Sequence, residues 1–330
     1  MSDDKKILVL TDEQTIRDMV ANIREKTGKS AKMSFDDMPG EIKSIDTGDT
    51  GRDLRMFFLG TIESIEIPYG VTDIRDSLFY KLSNLKNVVI PVGVKRISSN
   101  AFYNCNNLGE ISLPDTVAEI ASYAFYGCGK LTIESELLPE NVTSATTMSF
   151  YGCKNLNLLR LPDNLTTIDS YAFSNCSELS LKKLPDGLKK IGLHSFQSCG
   201  KLALEYLPSD IVKIEEYTFK DCTNLALKYL PDGVTYIGNY AFDKCGLLGV
   251  KVIPKNVDTI GYYAFANCTG MSEITFEGKP TLINANAFTG SVNVSTINVP
   301  WSEGEVEGAP WGAVNASVNY NYVLKEEDEL

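Results

Sequence analysis

Eight cysteines are the first residues in this sequence that could do chemistry, and they are evenly placed: Cys105, Cys128, Cys153, Cys176, Cys199, Cys222, Cys245 and Cys268. Thiols in that number could ligate zinc, pair as disulfides or act as nucleophiles. Zinc needs about four ligands converging on a point, whereas steps of 23, 25, 23, 23, 23, 23 and 23 residues string these thiols along a line. Neighbours on such a line point the same way, which is poor geometry for a disulfide. The pattern instead predicts a ladder of buried thiols, each small enough for a core and able to offer its S–H to a turn carbonyl. The one histidine, His194, occupies the position that other repeats fill with Tyr123, Tyr171, Tyr217, Tyr240 and Tyr263, so it reads as part of the repeat surface and not as an acid–base group. The 43 carboxylates could supply a glycosidase pair about 5–10 Å apart, but no break in the repeat marks a cleft. No catalytic residue, metal or cofactor is assigned.

The elements that hold these thiols follow from the other columns. Three residues before each cysteine stands a phenylalanine, and that series runs past the cysteines at both ends: Phe79, Phe102, Phe125, Phe150, Phe173, Phe196, Phe219, Phe242, Phe265 and Phe288. Prolines keep the same step from Pro68 to Pro254, with an isoleucine six residues after each, except that Ala145 takes its place once. The single 25-residue step reflects two extra residues between Thr132 and Pro139, which a coil can bulge outward. A period of this length means a solenoid, because one 23-residue unit cannot bury its own apolar face. Within a turn, Leu108-x-x-Ile111-x-Leu113-Pro114 reads as a short parallel strand ended by proline, which has no N–H for the ladder. Val117-x-x-Ile120 then packs inward and Ala124-Phe125-x-x-Cys128 closes the coil.

These columns resemble the BspA-like class of leucine-rich repeats, whose unit reads L-P-x-x-V-x-x-I-x-x-x-A-F-x-x-C-x-x-L, as in Leu230-Pro231-Asp232-Gly233-Val234 through Ala241-Phe242-Asp243-Lys244-Cys245. The expected fold is a repeat solenoid of about ten 23-residue coils with short parallel strands, spanning residues 51–291. The resemblance implies a curved solenoid used for adhesion or protein interaction, not catalysis. Residues 1–50 form a separate module and linker. There Thr11-Asp12-Glu13-Gln14 starts a helix, Ile16, Met19, Val20 and Ile23 form its apolar stripe, and Gly28 ends it. That stripe has three possible roles: capping the first coil, docking on a larger assembly, or pairing with copies of itself. Residues 292–330 form a β cap, with alternating Val314, Ala316, Val318, Tyr320 and Tyr322, and then an acidic tail.

A formal charge of −12 disfavours nucleic acid as a partner. Ile7-Leu8-Val9-Leu10, the longest apolar run near the start, falls short of the ~7–15 residues of a signal-peptide core and the ~20 of a membrane span. The expectation is synthesis in the cytoplasm without a signal peptide and without membrane insertion. The flanks Ile23-Arg24-Glu25-Lys26-Thr27-Gly28, Met38-Pro39-Gly40-Glu41-Ile42, Ile297-Asn298-Val299-Pro300-Trp301 and Ala309-Pro310-Trp311-Gly312-Ala313 to Tyr320-Asn321-Tyr322 resemble those of leucine-rich-repeat proteins of tailed bacteriophages and prophages. That likeness implies a tail-associated virion protein that contacts other virion proteins or forms a homo-oligomer. The alternatives are a bacterial BspA-like adhesin at the cell surface and, further off, a repeat-based carbohydrate-active enzyme.

Two sets of outward columns are candidate binding stripes. The tyrosine column containing His194 is either a binding stripe or packing on the outer wall, and half-buried packing is the ordinary role for tyrosine. The columns just before each proline vary in residue type, which predicts exposure. Consecutive turns would there gather Arg160, Lys182, Lys183, Tyr206, Lys228 and Tyr229 into a basic and aromatic patch suited to a protein or a bacterial surface glycan.

Overall fold

The computed structural model describes residues 7–8, 63–67 and 69–323. The predicted N-terminal helix, the linker after it and the acidic tail at 324–330 lie outside the described residues. Among the described residues there is no helix; strands of two to four residues are joined by turns. These strands stack in parallel as a solenoid of about eleven turns.

The turns build two ladders, where the sequence suggested one. The first lies before the proline. At one end it runs through Ile7–Leu8, Ser64–Glu66 and Asn87–Val89, then Glu110–Ile111 and Thr132–Ile133. At the other end it comprises Val252–Ile253, Glu273–Phe276, Thr296–Asn298 and Ser317–Asn319. The segment after the proline, expected only to pack inward, is the second ladder. It takes two residues from each of ten turns, from Asp73–Ile74 to Leu282–Ile283, in three paired runs that break after Ile120 and after Ile191, and within a run each residue pairs with the one a turn away, as in Ile237 with Ile260. The outward residue of each pair is polar in nearly every turn and the inward one is isoleucine or Ala145, the period-2 alternation of a strand with one buried face. The extra residues before Pro139 form a turn at 134–136, and Ser144–Ala145 still pairs with Thr167–Ile168.

The third corner of the coil holds the phenylalanines and thiols. All ten phenylalanines of the column are buried, and their rings stack with centroids 5.0 Å apart at Phe79–Phe102 and 5.6 Å at Phe173–Phe196. Every thiol donates its S–H to the carbonyl of the phenylalanine one turn earlier, at 3.0 Å for Cys199 to Phe173 and 3.1 Å for Cys176 to Phe150. One turn beyond the last cysteine, the Ser291 hydroxyl makes the same bond to Phe265. The ladder predicted from spacing is therefore a file of hydrogen bonds parallel to the solenoid axis. Burial pushes the thiols of Cys128 through Cys268 well above their ordinary pKa, so they remain protonated donors.

Candidate binding surface

The Phe–Cys corner also carries the tyrosine column. Tyr171, His194, Tyr217 and Tyr240 have φ of 59°, 54°, 57° and 56°, a left-handed conformation unusual for bulky side chains. Their backbone N–H groups bond the next turn, as Tyr171 does to Leu193 O at 2.8 Å and His194 to Glu216 O at 3.0 Å. Stacking accompanies this conformation: His194 lies between Tyr171 and Tyr217, with centroids 4.3 Å away on each side, and its Nδ1 meets Gln197 Oε1 at 2.7 Å. Tyr240 and Tyr263 continue the file. A second file, Tyr80, Tyr103, Tyr126 and Tyr151, stands one residue after the phenylalanines and passes to the first through Tyr151 and Tyr171, 6.3 Å apart. The sequence reading missed that file, although its 23- and 25-residue steps are visible in the chain. Rings inside both files have their faces covered by neighbouring rings, which leaves mainly edges for a ligand. This geometry favours the packing role for the tyrosine column.

The columns before the prolines differ. In the end turns, buried and exposed residues alternate: Asn87 is exposed, Val88 buried, Val89 exposed and Ile90 buried. In four central turns the strand is lost, and an isolated bridge from Leu137 to Arg160 is what remains of the first ladder there. Apolar spacing shifts with it, although the turn before Pro254, Leu248-x-Val250-x-x-Ile253, has the shifted spacing and still forms the strand Val252–Ile253. End turns read Leu85-x-x-Val88-x-Ile90 or Leu108-x-x-Ile111-x-Leu113, whereas central turns read Leu179-x-Leu181-x-x-Leu184, Leu202-x-Leu204-x-x-Leu207 and Leu225-x-Leu227-x-x-Leu230. With all three leucines of each central turn buried, the two residues between the last pair must both face outward. The outward pairs are Leu159-Arg160, Lys182-Lys183, Glu205-Tyr206 and Lys228-Tyr229. All six predicted residues occupy these doubled positions. Leu159, 55% exposed, and Glu205 belong to the same face and were missed; the shifted leucine is the signal that identifies them.

Acids between the turns alter the expected basic character of this patch. Arg160 Nη2 lies 2.8 Å from Glu140 Oε1, and Lys228 Nζ lies 2.8 Å from Glu205 Oε2. Lys228 holds the Glu205 carboxyl below the usual range, chiefly through this hydrogen bond, with Lys182 adding to the effect. Lys183 Nζ is 3.8 Å from Asp186, a loose contact at an exposed corner. Tyr229 is 45% exposed and Tyr206 half-buried, and among the described residues neither ring packs on another aromatic ring. The central face is thus a mixed polar surface with two open rings, not a cationic plate.

Residues 54–180, 130–248 and 189–307 match the BspA type leucine rich repeat region, with six copies. Together with the stacked Phe–Cys corner, these matches define the class: the chain belongs to the BspA-type leucine-rich-repeat family. A leucine-rich cell surface protein of Faecalibacterium prausnitzii A2-165 is similar, at 26% identity over 79% of this chain and 80% of that one, with a TM-score of 0.50. A leucine-rich repeat protein of Bacteroides ovatus (23% identity, 78% and 84% covered, TM-score 0.45) and the pneumococcal vaccine antigen PcpA (22%, 79% and 68%, TM-score 0.49) are also similar. No curated protein sequence matches the chain. Nothing in these comparisons supports the resemblance of the flanks to phage tail proteins.

Proposed function

We propose that this chain is a surface-binding protein of the BspA-like adhesin type, and that the central turns of its solenoid present the binding face to a protein or glycan of a cell surface. One observation carries the reading. Four consecutive turns keep the same buried corner while giving up the first-ladder strand, and each thereby presents two adjacent side chains instead of one. The cell surface protein of F. prausnitzii supports placing this chain at a cell surface over placing it in a virion. His194, held between two tyrosine rings, supports a packing role over acid–base chemistry.

Glycan arrays and arrays of extracellular-matrix proteins, probed with the purified chain and with Tyr206→Ala/Tyr229→Ala, test the reading. The double variant is expected to retain its melting temperature, because neither ring belongs to the core, and to lose about tenfold or more in affinity. Unchanged binding by the folded double variant would remove the face from consideration.

A further inference from the structure

Of the four cations on the central face, Arg160, Lys183 and Lys228 each have a carboxylate within 4.0 Å. Lys182 is different. It is exposed, and among the described residues no carboxylate stands within ion-pair distance of its ammonium. It shares an outward column with Glu205 and Lys228, one and two turns on, and those two are engaged with each other. Tyr206 and Tyr229 stand beside them on the same two turns. The face therefore combines one ammonium that makes no direct ion pair, though it lies in the field of Glu205, with two open aromatic rings, beside three cations that are each paired.

That combination selects among ligands. A dense polyanion needs several free cations in a row and meets instead Glu140, Asp163 and Asp186, on a chain of net charge −12. A neutral sugar chain could use the rings but would leave Lys182 without a role. A sugar chain with an occasional carboxylate uses both: its apolar ring faces lie on the tyrosines, and its acid group meets the ammonium. Successive turns are about 4.8 Å apart, so an extended chain lying along the solenoid axis passes the lysine and both rings in order.

We propose that the central face holds an acidic glycan along the solenoid axis, with a uronic-acid carboxylate on Lys182 and neighbouring sugar faces on Tyr206 and Tyr229. The proposal rests on the reading of this face as the binding surface and adds the ligand class and the residue that selects it.

Calorimetry with galacturonate, mannuronate and hyaluronan tetrasaccharides, each paired with its carboxyl methyl ester, tests it on the full chain. At least one acid is expected to bind about three- to fivefold tighter than its ester, the worth of one exposed ion pair. Lys182→Gln should erase that preference without changing affinity for the ester, and Lys182→Glu should reverse it. Tyr206→Ala/Tyr229→Ala should weaken acid and ester alike. Equal binding of acid and ester to the unmodified chain, or no binding of any of the six probes, overturns the acidic-glycan proposal while leaving the face open to a protein ligand. Acid-selective binding that survives both the Lys182 and the tyrosine variants places the site elsewhere and overturns the surface reading as well.

Discussion

The end turns and the central turns of this solenoid share one corner and differ in the other. Phe102 and Cys128 in an end turn, and Phe196 and Cys222 in a central one, are equally buried, and both thiols bond the phenylalanine carbonyl a turn earlier at 3.0 Å. The second ladder likewise extends through both regions. Before the proline they part. A strand buries every second residue, so apolar residues three and five positions after the leading leucine, as in Leu108, Ile111 and Leu113, place a strand in register with the core. Moving the middle residue one position earlier, as in Leu202, Leu204 and Leu207, breaks the alternation and leaves two neighbours outside. Stability resides in what the turns share, and the face open to recognition is made by what they do not.

If the shared corner unifies both regions, deprotonating its thiols should unfold them together, and this is the largest effect expected. Burial raises seven of the thiols well above 9.0 in the folded chain. Unfolded thiols titrate near about 8.5. Below that value both states are protonated and the contribution is fully present; above it only the unfolded state releases protons, so stability falls as pH rises. Each thiol removes up to about 1.4 kcal/mol per pH unit, and the seven together about 10 kcal/mol per unit once fully developed. Circular dichroism should show a single steep transition above about pH 9. Two separate transitions would show that the end and central turns are not unified by the corner.

A smaller effect sharpens the difference itself. Exchanging Leu204→Glu with Glu205→Leu keeps composition and gives one central turn the spacing of the end turns. Its neighbours Leu181 and Leu227, both fully buried, remain in the other phase. Either a carboxylate is then forced inward or the turn stands out of step, and a loss of about 3 kcal/mol or more is expected in denaturant unfolding. Adding Leu181→Lys/Lys182→Leu and Leu227→Lys/Lys228→Leu puts three turns in the same new phase. The sixfold variant should therefore be more stable than the twofold one, the non-additivity expected of residues in contact. Losses that simply add would show each turn to be independent, and the central face an accident of local sequence.

Features set by one residue type per turn were legible in the chain: the repeat length, the Phe–Cys corner and the proline stop. The second ladder was not, because a two-residue strand such as Lys213–Ile214 leaves one buried position per turn, which looks like inward packing. Exposure of the central columns was legible from their variability. Their neutrality was not, since Arg160 finds its acid 20 residues away in Glu140 and Lys228 finds Glu205 at 23, partners visible only after the turns are stacked. That Lys182 makes no direct ion pair among the described residues emerges from the same stacking.

The smallest effect concerns the corner, at the residue just before each phenylalanine. Ala101, Ala124, Ala172, Ala241, Ala264 and Ala287 fill that position in most turns, but Ser149 and Ser195 place there a buried hydroxyl that finds no hydrogen-bond partner. Thr218, in the same column, is satisfied by donating to Glu215 O at 2.8 Å. A buried, unpaired hydroxyl costs about 1–3 kcal/mol relative to an apolar group of similar shape. Ser195→Ala should therefore stabilise the chain by about 1 kcal/mol, visible as a rise of about 2–4 °C in melting temperature. Ser149→Ala should add to it, because the two sites lie two turns apart, about 10 Å, and share no partner. Thr218→Ala should go the other way, losing a made bond and a packed methyl. A destabilising Ser195→Ala would mean that its hydroxyl is bonded in solution, and that the corner is not the uniform apolar element on which the contrast between end and central turns depends.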